Sequence, residues 1–156
     1  KIIQSGEIVS FDTDMVGPYG YCADISRTYV EGNKFSESQK KLYLMAVEQI
    51  NHNSRLIKPG ISFKEFTQKS WVLPEEYFGN RYSVMVHGIG LCDEWPAIRY
   101  PTDGGERSGV FETNMTITVE SYIGKVGGKE GVKLEQQYLV GQNGLELMSH
   151  HPLEDI

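Results

Sequence analysis

The chain has 156 residues, of which 39% are hydrophobic and 23% charged, and a formal net charge of −6 at pH 7. This is about one domain of ordinary globular composition, and its acidity, with no basic run longer than Lys40-Lys41, argues against a nucleic-acid or anionic-membrane partner. No stretch reaches the roughly 18 apolar residues of a membrane-spanning helix, and Cys22 and Cys92 make no disulfide framework, which points to a reducing, cytoplasmic setting.

The chain opens at Lys1 rather than Met, and "KIIQSGEIVSFD" reads as a turn feeding a strand, so a fragment of a longer protein is expected. Residues 8–11 form the predicted strand, which delivers Asp12 and Asp14. Gly17, Pro18 and Gly20 mark a turn, and "YCADISRTYV" is the returning strand of a hairpin. A long helix follows: Ser36 and Gln39 form a capping box, Leu42, Met45, Ala46, Gln49 and Ile50 recur at helical spacing, and Lys58-Pro59-Gly60 ends it. Ser62 and Glu65 make a second capping box for a short helix to about Ser70. Residues 72–81 read as irregular, "YSVMVHGIG" as a strand running into a glycine turn, and 96–112 as a long polar loop. "MTITVESYI" and "GVKLEQQYLV" are two closing strands. Helices bracketed by short antiparallel hairpins give an α+β pattern.

The chemistry lies on those strands. Asp12 and Asp14 are two apart and project to the same side, and Asp24 on the partner strand can reach that side. Carboxylates gathered in an apolar segment repel one another unless a cation sits between them. His87 is the one histidine in a site-like context, at the end of a strand and ahead of glycines. Glu120 and Glu135 each stand in the middle of an apolar strand, where a glutamate is costly unless paired. Carboxylates with one imidazole form a hard, oxygen-rich cage suited to two divalent ions, with iron placed first and zinc, manganese and cobalt as alternatives. Cys22 and Cys92 are read as packing residues, and Arg27 as the structural partner of a buried carboxylate.

"GYCADISRTY", "HGIG", "MTITVE" and "GVKLEQQYLVGQNGLELMS" together resemble the motifs of the pita-bread metalloenzymes, the M24 superfamily of methionine aminopeptidases, prolidases and aminopeptidase P. The resemblance implies a curved antiparallel sheet with helices, of which residues 1–156 are the C-terminal part of the catalytic domain, without its N-terminal strands or any N-terminal domain. It implies Asp14, Asp24, His87, Glu120 and Glu135 as metal ligands, and a homodimer in the full-length protein.

The departures from the superfamily pattern carry the functional expectation. The peptidases space their two aspartates eleven apart, which falls on Thr13, whereas Asp12 and Asp14 flank that position. The second histidine that peptidases carry after His-Gly-x-Gly is absent from "HGIGLCDEWP", where Asp93 precedes Glu94. Ser121 follows Glu120 where peptidases usually have Pro-Gly. These features are similar to an offshoot of the superfamily, the dimethylsulfoniopropionate (DMSP) lyases, which release dimethyl sulfide and acrylate by β-elimination. That similarity implies Asp12 as a sixth ligand and Asp93 as the catalytic base. A cationic sulfonium substrate calls for aromatic faces; Tyr82, Trp95 and Tyr122 are the candidates. The alternatives are an Xaa-Pro peptidase of the same fold and a non-catalytic binding protein, the latter disfavoured because all five ligand positions are kept.

Overall fold

The computed structural model describes residues 1–32, 34–104 and 108–156. Strands β1 (Ile8–Asp12) and β4 (Ser26–Val30) pair antiparallel, with Asp12 opposite Ser26. Between them, β2 (Met15–Val16) and β3 (Cys22–Ala23) form a second, separate antiparallel pair. The predicted continuous hairpin is therefore broken. Thr13 interrupts it: its Oγ1 takes a hydrogen bond from Ile25 N at 3.1 Å and donates to Ile25 O at 3.0 Å, so a side chain replaces ladder bonds there. Asp12 and Asp14 end up on either side of this kink rather than on one regular strand.

The long helix α1 (Glu37–Leu56) starts where its capping box places it: Ser36 Oγ accepts from Gln39 N at 3.3 Å and Gln39 Oε1 accepts from Ser36 N at 2.8 Å. Tyr43, Ala46 and Ile50 form its buried stripe. At α2 (Phe63–Lys69) only half of the second box forms, because Glu65 reaches forward to Lys69 at 2.7 Å instead of back to Ser62. Two expected irregular stretches contain structure. A one-turn helix α3 (Glu75–Phe78) follows Pro74. Within the expected loop of residues 96–112, Ala97–Arg99 form strand β6 against β5 (Val84–Gly88), and residues 105–107 of that loop lie outside the described residues. A strand of three residues is too short to show alternation, and only its pairing partner reveals it.

β7 (Thr116–Gly124) and β8 (Gly131–Gly141) are the closing strands, and an unpredicted β9 (Gly144–Leu147) turns back along β8. The five strands form one antiparallel sheet in the order β6-β5-β7-β8-β9. Strand pleating divides its residues between two faces. Ile117, Val119, Ile123, Val132, Leu134 and Val140 join Tyr43, Ala46 and Ile50 in the core, and Gln49 of α1 accepts from Ser121 Oγ at 2.6 Å. The alternate residues, among them Glu120, Lys133 and Glu135, face the other way, toward β4.

Candidate metal centre

Register decides which groups meet. β7 and β8 set Glu120 directly opposite Glu135, and β5 sets His87 two residues along on the same face, opposite Thr118. β4 closes over them: Ser26 Oγ lies 3.0 Å from Glu135 Oε2, and Thr28 Oγ1 donates to Lys133 O at 2.7 Å. Asp24, at the entry to β4, is held by its backbone N–H donating to Gln137 Oε1 at 3.3 Å.

The result is a buried anionic cage around one imidazole. His87 Nε2 lies 3.1 Å from Glu135 Oε1, 3.7 Å from Glu120 Oε1 and 3.8 Å from Asp24 Oδ2. Asp24, His87 and Glu135 are 3%, 1% and 0% exposed, and one donor atom from each lies within 4.8 Å of the others. A second such group joins Asp14 and Asp24 to Asp93. Asp12 stands at the other side, its Oδ1 accepting from Ser26 Oγ at 2.5 Å and its Oδ2 lying 3.5 Å from Lys133 Nζ. All six residues read as ligands thus meet in one neighbourhood, with Asp93 beside them.

Lys133 was not anticipated. It sits two residues before Glu135, on the same face of β8, and that spacing is the sequence signal that would have found it. Its ammonium reaches Glu120 Oε2 at 2.6 Å and Glu135 Oε2 at 3.4 Å. It thereby fixes Glu120 with Oε1 turned toward His87. Glu120 Oε1 and Asp24 Oδ1 are buried without a hydrogen-bond partner. Such orphans are expensive unless something else binds them.

The protonation balance follows from this crowding. Burial, then the charges of Glu135, Asp14 and Asp12, push the Asp24 carboxyl up to about 7. Burial opposes charge on His87, but hydrogen bonds to Glu135 and to the Gly88 carbonyl, with the charge of Glu120, outweigh it and lift the imidazole to about 9. Burial also raises Glu120, with Lys133 pulling against it. Burial disfavours the Glu135 carboxylate, yet its bond from His87 and the Lys133 ammonium hold it down at about 2. The cage of the bare protein therefore retains protons that a divalent ion would replace.

The donor chemistry fits such an ion. His87 Nδ1 donates to Gly88 O at 3.0 Å, which in the neutral ring leaves Nε2 as the lone-pair nitrogen facing the carboxylates. The two orphaned oxygens, on Glu120 and Asp24, supply open acceptor positions on residues of the cage.

A family model for metallopeptidase family M24 matches residues 1–142. The chain belongs to that family. The M24 chain is 39% identical to the dimethylsulfoniopropionate lyase DddP of Roseovarius nubinhibens, over 99% of its own length and 35% of that protein's. It superimposes on an Xaa-Pro dipeptidase from Bacillus anthracis with a TM-score of 0.78 at 30% identity, covering 99% of this chain and 42% of that one. Against the prolidase from Pyrococcus horikoshii the TM-score is 0.81 at 28% identity, covering 100% and 44%. The fold is accordingly the pita-bread fold, and the chain spans about a third of the length of its curated relative. M24 enzymes use divalent metals, and the cage described above is the matching acidic and imidazole cluster.

The remaining candidates fall in different places. Trp95 is 57% exposed at the rim of an apolar cavity of about 250 Å³, which His87, Cys92, Pro96, Phe111 and Met115 also line. Tyr82 is on the far side, its hydroxyl donating to Glu94 at 3.0 Å and its ring lying 4.9 Å from Lys133 Nζ. Tyr122 packs against Gly124 and Gly131 at the far end of the β7–β8 hairpin, as a packing aromatic. Arg27 is structural, but its hydrogen-bond partners are not the expected carboxylate: it donates to the backbone carbonyls of Ser26, Glu135, His151 and Pro152 and to Gln136 Oε1, tying the C-terminal tail beneath the cage. None of the described helices is long and apolar enough to cross a membrane.

Proposed function

We propose that this M24 chain carries the chemistry of a metal-dependent DMSP lyase. The observation that carries the reading is the position of Asp93: a half-buried carboxylate brought against Asp14 and Asp24 by the loop in which "HGIGLCDEWP" lacks the peptidases' second histidine. The 39% identity to a protein named as a DMSP lyase supports it.

In this reading Asp14, Asp24, His87, Glu120 and Glu135, with Asp12 as a sixth ligand, hold two divalent ions, iron first among those that suit the donors. When bound, these ions supply positive charge to a substrate carboxylate and make the neighbouring C–H more acidic. Asp93 removes that proton. The C–H electron pair becomes the new C=C bond, the C–S pair leaves with sulfur, and acrylate and neutral dimethyl sulfide result. No general acid is required, because the leaving group departs uncharged. The sulfonium end enters the cavity rimmed by Trp95, whose indole face attracts a cation by roughly 0.5–2 kcal/mol.

An Xaa-Pro peptidase is the second reading, supported by the superposition on an Xaa-Pro dipeptidase and a prolidase. Incubating the metal-loaded protein with DMSP and, separately, with an Xaa-Pro dipeptide distinguishes them. Dimethyl sulfide in the headspace, lost in Asp93→Asn, is expected. Proline release without dimethyl sulfide would replace the lyase by the peptidase.

A further inference from the structure

The loop that follows His87 is pinned at both ends. Gly90 O accepts from Cys22 N at 2.7 Å, which ties the loop to β3, two residues ahead of Asp24. At Gly88 there is no room for a side chain, because a Cβ there would sit 2.1 Å from Trp95 O and 2.7 Å from its carbonyl carbon. Gly90 adopts a φ of 150°, and Glu94 the left-handed value of 54°. Between these anchors Asp93 is aimed inward. One oxygen from each of Asp14, Asp24 and Asp93 lies within 4.8 Å of the others.

No described lysine or arginine is ion-paired with these three carboxylates. The cage's ammonium, Lys133, is paired with Asp12, Glu120 and Glu135 instead. An independent observation points to a ligand here: Asp24 is 3% exposed, and its Oδ1 is buried with no hydrogen-bond partner. A buried, unpartnered carboxylate oxygen among two further carboxylates asks for a cation.

We propose that Asp93 is itself a ligand of the divalent ion on the Asp14–Asp24 side, in addition to the residues that the family pattern supplies. The consequence, which rests on the lyase reading, is a gated base. While Asp93 is bound to the ion its oxygen lone pair is engaged, and it becomes free to accept a proton when the carboxylate of an incoming substrate takes its place at the ion. A compound without a carboxylate then cannot release the base, which narrows the substrate class to carboxylates, zwitterions included.

Cobalt(II) tests this through its visible absorption, which reports coordination number and donor set. The metal-free protein, Asp93→Asn and Asp93→Glu are titrated with Co²⁺ in the presence of a chelating indicator, and far-UV circular dichroism confirms folding of each. Weaker binding of one Co²⁺ in Asp93→Asn, by about tenfold or more, is expected, with an altered visible band and partial recovery in Asp93→Glu. Propionate, a carboxylate without sulfonium, is expected to change the band of the parent protein by displacing Asp93, and to change that of Asp93→Asn at a lower concentration, because no carboxylate has to be displaced there. Parent-like affinity and band in Asp93→Asn would overturn the proposal. If the bands depend on Asp93 but no dimethyl sulfide forms from DMSP, the ligand assignment stands and the lyase reading falls.

Discussion

Loading the bare protein with a divalent ion is the perturbation that probes the cage most directly, because the ion must displace protons. At pH 7 an imidazole lifted to about 9 is almost fully protonated, and a carboxyl lifted to about 7 is half protonated. His87 and Asp24 must both be deprotonated to ligate, so binding releases about 1.5 protons at pH 7. The release grows to about 2 at pH 6 and shrinks to about 1 at pH 8. Those figures count His87 and Asp24 alone; Glu120, which burial lifts to about 8 against the pull of the Lys133 ammonium, adds about 0.9 of a proton at pH 7 and about 0.5 at pH 8. The assay is isothermal titration calorimetry with Mn²⁺ in buffers of different ionisation enthalpy, where the slope of apparent enthalpy against buffer enthalpy gives the protons released. The stability of the metal-free protein carries the same sign. The folded state holds the Asp24 proton between about pH 4 and 7 and the His87 proton between about 6.5 and 9, where the unfolded chain has lost each. Metal-free stability therefore falls as pH rises through both windows, and the ion restores it. A release near zero, unchanged from pH 6 to 8, would show that the two groups are not the ion's ligands.

Three substitutions probe the surroundings. Lys133→Met leaves the buried Glu120 carboxylate without its cation and should cost about 3–5 kcal/mol in urea denaturation of the metal-free protein, with a smaller loss when Mn²⁺ is present. Gly88→Ala forces the chain at Trp95 to move, so a loss of about 1–3 kcal/mol is expected by the same denaturation assay and, under the proposed lyase reading, slower dimethyl sulfide release in headspace chromatography. Arg27→Met strands several buried carbonyls and loosens the tail at His151 and Pro152, and roughly 3–5 kcal/mol of stability should be lost by the same urea assay.

Chemistry-bearing residues were legible in the chain because burial constrains sequence strongly. Glu120 and Glu135 stand out as charges in apolar strands, and His87 as an imidazole ahead of glycines. Local rules likewise determined α1, since Ser36 and Gln39 cap it whatever lies beyond. Contacts between distant segments followed no such rule. Thr13 breaks the first hairpin only because Ile25 is there to bond it, and Ala97–Arg99 become a strand only because β5 offers an edge. Lys133 is one lysine among many until the β7–β8 register sets it against Glu120. Likewise Asp93 is singled out in sequence only by the resemblance, and it joins Asp14 and Asp24 because the loop is tied back to β3. The sequence determined which groups must be sheltered and which segments are helical or extended, for those preferences act over a few residues. Tertiary structure alone decided which oxygen faces which cation, because interactions of charges in a buried site change steeply over an ångström, and only register and loop closure fix distances on that scale.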